Sequence, residues 1–147
     1  NKIDSFTEYV DNYDDPNYEQ TQIDHENTDM AFSPNVIGNV GFNYEPFEGL
    51  ALNWMTKYVG DQFLDNTSNQ DRKIDAFTYS NVSLNYTVED FIFKSITIGV
   101  QCNNIFDAKY QNNGYTWGYI AGGQRTVENF YYPQAGRNFM FRLLIQM

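Results

Sequence analysis

A chain of 147 residues, with 41% apolar and 18% aromatic side chains, is long enough for one domain with its own core. Its net charge of -10 argues against a nucleic-acid partner, and the single Cys102 excludes a disulfide framework. No apolar run approaches the roughly 18 residues of a membrane helix, which excludes helical spans but leaves barrel strands open, because those alternate and hardly register on hydropathy.

In chain order, residues 2–10 alternate and read as the end of a strand. Residues 11–30 are acidic and polar and are broken by Asp15-Pro16-Asn17, which predicts a long surface loop. Val36, Gly38, Val40, Phe42 and Tyr44 then alternate with Ile37, Asn39, Gly41, Asn43 and Glu45, a period-two strand. After the turn at 45–49, Leu50, Leu52, Trp54, Thr56 and Tyr58 share a face opposite Ala51, Asn53, Met55, Lys57 and Asp61. Residues 65–73 predict a second polar loop. The next strand sets Val82, Leu84 and Tyr86 against Asn81, Ser83 and Asn85, and a short connection passes through Glu89 and Asp90. Ile96, Ile98, Val100 and Cys102 alternate with Thr97, Gly99, Gln101 and Asn103. A long loop is expected over 110–132, before a last strand with Phe139, Phe141, Leu143, Ile145 and Met147 on one side. The fold class is therefore all-β, an antiparallel up-and-down meander of five to six strands.

Two regularities bear on the solvent of the apolar face. Long and short connections alternate strictly, as in outer-membrane barrels with short periplasmic turns and long extracellular loops. The opposite faces carry Asn39, Asn43, Asn53, Lys57, Asp61, Asn81, Asn85, Gln101, Asn103 and Arg142, which suits a wet or plug-filled lumen. Tyr44, Tyr58, Tyr86 and Phe106 fall near strand ends, where an interfacial aromatic girdle sits. A soluble sandwich also accounts for the polar faces, so the loop rhythm discriminates better than they do.

Several stretches taken together resemble the C-terminal end of a TonB-dependent outer-membrane receptor of the Bacteroidetes type. They are Asn1-Lys2-Ile3 with Phe6-Thr7-Glu8-Tyr9, Ser33-Pro34-Asn35, the run 58–66, Asn104-Ile105-Phe106-Asp107-Ala108-Lys109-Tyr110, and Tyr131-Tyr132-Pro133-Gln134-Ala135-Gly136-Arg137-Asn138-Phe139. The resemblance implies a 22-stranded transmembrane barrel with a plug, of which this chain supplies roughly a quarter. It also implies a place in the outer membrane of a Gram-negative cell and uptake energised by the TonB complex. The implied partners are the plug and remaining strands of the same receptor, outer-membrane lipid and the barrel-assembly machinery. The chain begins at Asn1 with no signal sequence, as expected of a processed product or of part of something longer, and an isolated open sheet with an apolar face is expected to belong to a longer polypeptide or an assembly. Phe139, Phe141, Leu143, Ile145 and Met147 resemble the terminal strand that the assembly machinery reads, although the family usually ends on an aromatic residue rather than Met147.

Candidate ligand contacts are Trp117, Tyr119 and Arg125 in the last long loop, with loop packing as the plainer reading. Lys57, Asp61, Arg137 and Arg142 are expected to face the lumen, either towards a plug or paired with one another. The acids of residues 11–29 lack the spacing of a calcium loop, and His25 is the sole histidine, so no metal site is expected. No catalytic constellation or cofactor motif is present, and the chain is not expected to be an enzyme. The alternative to a receptor segment is a soluble all-β carbohydrate-binding module stacking ligand on Trp117, Tyr119 and Tyr131.

Overall fold

The computed structural model describes residues 1–90 and 92–147; Phe91, in the short connection near Glu89, lies outside the described residues. The described elements are all strands: β1 (Lys2–Asn12), β2 (Thr21–Asp29), β3 (Ile37–Phe47), β4 (Leu50–Val59), β5 (Gln62–Phe63), β6 (Lys73–Ile74), β7 (Phe77–Glu89), β8 (Ser95–Asn103), β9 (Gln111–Ala121), β10 (Gln124–Pro133) and β11 (Asn138–Gln146). The all-β expectation is met, but the count of five to six strands is too low. The chain forms two compact units, one of residues Asn1–Val36, Gly60–Ala76 and Tyr110–Gln134, the other of Ile37–Val59, Phe77–Lys109 and Ala135–Met147.

The second unit is a five-stranded antiparallel sheet in the order β11-β8-β7-β4-β3. This is the expected meander, and it is open: β3 and β11 each have a single strand neighbour. Register brings most of the apolar residues of the five strands onto one face, because paired residues in a sheet point to the same side. One row runs Phe42, Trp54, Val82, Cys102, Phe139 and the next Tyr44, Leu52, Leu84, Val100, Phe141. Two more run Leu50, Tyr86, Ile98, Leu143 and Val88, Ile96, Ile145. The other face carries rows such as Asn43, Asn53, Ser83, Gln101 and Ala51, Asn85, Gly99, Arg142. Successive strands of a meander run in opposite directions, so the short links after β3 and β7 lie at one end of this sheet. The chain segments before β3, after β4 and after β8 all leave from the opposite end.

Both expected long loops of the first unit contain strands. Residues 11–30 hold the end of β1, a turn and then β2, and residues 110–132 hold the hairpin β9–β10. β2 escapes the alternation test because Thr-Gln-Ile-Asp-His-Glu-Asn-Thr-Asp has one apolar residue, Ile23; its pairing with β1 from Lys2↔Asp29 to Val10↔Thr21 makes it a strand. In β9, Tyr115, Trp117 and Tyr119 do alternate, and Gly122-Gly123 closes the hairpin between Ala121 and Gln124. Both glycines have positive φ, 61° and 71°, as a type I′ turn requires, so this hairpin had a readable signal. The first unit's sheet has the order β10-β9-β1-β2, and its central contact is parallel, limited to Asp11↔Tyr119 and Asn12↔Ile120. That contact departs from a pure antiparallel meander.

Candidate functional site

The first unit is built around one carboxylate. Glu8 and Val10 lie on the same side of β1, two residues apart, and Val10, Leu64 and Ile74 form the buried apolar centre of this unit. The segment 62–74, folded back on itself by β5 and β6, delivers Arg72, which is only 3% exposed. Arg72 Nη1 donates to Glu8 Oε1 at 2.7 Å and to Asp65 Oδ2 at 2.6 Å. His25 Nε2 lies 3.1 Å from Glu8 Oε2, since His25 sits on β2 directly opposite Phe6, and Arg125 of β10 also donates to Glu8. Burial pushes the Glu8 carboxyl up, but hydrogen bonds from Arg72, His25 and Arg125 outweigh it and hold the group below its ordinary range. The Arg72 guanidinium feels the same balance with the opposite outcome: burial lowers its pKa, and Glu8 and Asp65 together raise it. Asn129 Nδ2 to the Asp71 carbonyl (2.6 Å) and Tyr131 Oη to the Lys73 carbonyl (3.0 Å) tie β10 to the same segment.

Between β1 and β9 this unit holds a cleft of about 450 Å³. It is lined by Phe6 to Asp11 on one side and Thr116, Trp117 and Gly118 on the other, with Arg72, Asp65 and Thr67 between. Its origin is the short parallel contact: β1 and β9 pair over two residues each and then part.

The three expected ligand contacts do not share one surface. Trp117 and Tyr119 lie on the same face of β9, whereas Arg125 pairs with Ile120 and therefore points to the other side, towards Glu8. Trp117 and Tyr119 belong instead to a ladder of partly exposed rings. Tyr13–Tyr119, Trp117–Tyr119 and Tyr115–Phe130 have centroid separations of 5.7, 5.0 and 4.8 Å, and Tyr132 lies 6.2 Å from Tyr115. Tyr131, the third stacking candidate of the soluble reading, is on the opposite face, next to Lys73.

The four expected lumenal charges also separate. Lys57 and Arg142 do lie on the polar face of the five-stranded sheet, in register with Asn39 and Gly99. Gly99 matters there: a Cβ at that position would stand 2.6 Å from Asn85 Oδ1, and without it Arg142 Nη2 crosses the strand to donate to that oxygen at 2.8 Å. Asp61 does not share the row with Lys57, because β4 ends at Val59; it forms an ion pair with Lys73 in the first unit. Arg137 precedes β11, and its backbone N–H donates to Asp107 Oδ1 at 2.8 Å. That bond, with Lys109 alongside, holds the Asp107 carboxyl below its usual range. The terminal apolar set remains on one face, with Phe139, Phe141 and Leu143 exposed by 62%, 83% and 65%.

Five acids of residues 11–29, Asp11, Asp14, Asp15, Asp24 and Asp29, are occupied by neighbouring groups. Asp14 accepts both Gly122 N–H and Gly123 N–H at 2.7 Å, Asp15 accepts Asn17 N–H at 2.8 Å, and Asp24 accepts the Thr7 hydroxyl at 2.7 Å. Asp29 pairs with Lys2 at 2.8 Å. A buried amide that pattern reading missed is Asn104. Its side chain accepts from Ala108 N–H and donates to the Ala108 and Ala135 carbonyls at 2.9, 2.9 and 3.3 Å, so the run 104–110 is a structural knot. Only its three-residue lead over Asp107 and its place after an alternating strand were visible in the sequence. No family model matches the chain.

Proposed function

We propose that this chain is barrel wall and surface loops of an outer-membrane receptor of the TonB-dependent type, contributing to a 22-stranded transmembrane barrel. The observation that carries the reading is the five-stranded meander: a mostly apolar and largely exposed face, short links at one end and every long excursion at the other. That combination suits a wall with hydrocarbon on one side and water on the other. In water the same face would be a large exposed apolar patch beside two open strand edges, a state prone to aggregation. The resemblance of its sequence stretches adds the family and, through it, the plug, the remaining strands and TonB as partners.

In this reading the first unit is an extracellular structure that meets the transported ligand, and the ring ladder of Tyr115, Trp117 and Tyr119 is its contact surface. Arg125 acts through Glu8 as a positioning residue. Uptake would then follow energised rearrangement of the plug. Phe139, Phe141, Leu143, Ile145 and Met147 are the assembly signal.

The ring ladder also favours a second reading, a soluble carbohydrate-binding module. Solubility separates the two. The receptor reading expects the 147-residue chain to need detergent or lipid to remain dispersed. A monomer in plain buffer with one cooperative melt contradicts it and supports the module.

A further inference from the structure

We propose that the cleft between β1 and β9 is a docking slot for an uncharged, extended peptide segment, which inserts as an added strand. Three observations converge on it. The first is the pair of open strand edges. β1 is hydrogen-bonded to β2 along one edge and β9 to β10 along one edge, and their own parallel contact stops after Asp11↔Tyr119 and Asn12↔Ile120. In a strand, backbone groups point alternately to the two neighbours. Over residues 6–10 of β1 and 116–118 of β9, the half pointing into the cleft therefore faces no strand among the described residues. Two such edges across one gap match the main-chain donors and acceptors of an extended polypeptide.

The second is a pair of unpartnered polar atoms in the same place. Arg72 is 3% exposed and lines the cleft, and both Arg72 Nε and Thr116 Oγ1 are buried with no hydrogen-bond partner in the protein. An unpaired buried donor is costly, and a ligand carbonyl satisfies it. The third is charge. Glu8 and Asp65 are already occupied by Arg72, with Arg125 on Glu8 as well, and Asp11 accepts from Gln20 Nε2 at 2.9 Å. Arg72, the cationic side chain lining the slot, is thus already engaged by carboxylates, an anion would meet Glu8, Asp11 and Asp65, and a neutral carbonyl is the acceptor that fits the unpartnered Nε. Phe6, Tyr9 and Trp117 along the cleft supply apolar surface for the peptide's side chains. The inference concerns the first unit alone and stands whether the second faces lipid or water.

The test uses the full chain folded in detergent micelles and the capped pentapeptide Ac-Ala-Thr-Val-Thr-Ala-NH2, titrated by calorimetry. Saturable one-to-one binding is expected. N-methylating alternate peptide nitrogens, in either phase, is expected to weaken it about tenfold or more, since one phase removes bonds to β1 and the other to β9. Thr116→Val, which keeps shape and removes the hydroxyl, is expected to weaken it roughly three- to tenfold with an unchanged circular dichroism spectrum. The proposal is overturned by no saturable heat up to millimolar peptide, by N-methylated peptides binding as well as the parent, or by a neutral oligosaccharide binding where the peptide does not.

Discussion

The two units spend their apolar residues differently. The first has a small buried centre, Val10, Leu64 and Ile74, over which a charged network closes around Glu8 and Arg72. The second has more large apolar side chains but displays them, in register, across five strands. Where the second unit carries polar groups on its apolar side, they satisfy one another: Trp54 Nε1 donates to Thr56 Oγ1 at 2.8 Å, and Thr56 and Ser80 hydroxyls meet at 2.7 Å. A sheet meant to face water has no need of that arrangement, and a sheet facing an apolar phase does. The first unit is thus held by its own contacts, while the second leaves much of its apolar face exposed.

The comparison breaks most sharply at the terminal strand. On the proposed receptor reading, replacing Phe139 and Phe141 together with Asn should abolish membrane assembly, since each ring withdrawn from an apolar phase forfeits about 1.5–3 kcal/mol before the added amide is counted. Heat-modifiable mobility of the membrane fraction reads this out, and normal assembly of the variant would make the strand ordinary wall. Next in size, Arg72→Ala should destabilise the first unit by on the order of 3 kcal/mol, because it strips Glu8 and Asp65 of a buried partner. Amide exchange should then rise in β1, β2, β9 and β10 while β4, β7 and β8 stay protected. Uniform exchange across both units would show that they are not separate in stability.

Asn104→Ala should cost about 2 kcal/mol, through the Ala108 and Ala135 groups it leaves unpaired and the φ of 51° it must keep. Here the loosening should appear in residues 104–109 and the start of β11, measured by the same exchange. The smallest effect is on acid sensitivity. Glu8 has its folded pKa below the ordinary carboxyl value of 4.5, so its contribution is complete above that value and is lost as pH falls through the lowered one. Glu8→Gln should therefore destabilise the first unit at pH 7, with the gap narrowing as pH falls below 4.5, by urea melts across that range. A gap that stays constant would remove Glu8 ionisation from the account.

Much of the second unit was legible because a period of two is a local property: β3, β4, β7, β8 and β11 announce themselves by alternation, and their long-short rhythm fixes which ends match. The first unit was less so. β2 is a strand by virtue of β1, not of its own residues, and no window containing Thr21 to Asp29 shows it. The Glu8 site joins residues 64 and 117 positions apart, Arg72 and Arg125, through a fold that no spacing rule anticipates. The separation of Trp117 and Tyr119 from Arg125 onto opposite faces was within reach, since it follows from the Gly122-Gly123 turn once the hairpin is recognised.

The central claim, an apolar phase against one face of the second unit, is tested most directly by nitroxide labels along β11. In lipid bilayers, with Cys102→Ser as background, single labels at each position from 139 to 145 are compared for collision with oxygen and with a water-soluble nickel chelate. The account predicts strict alternation, with 139, 141, 143 and 145 oxygen-rich and chelate-poor and 140, 142 and 144 the reverse. Equal chelate access along the whole strand would contradict it.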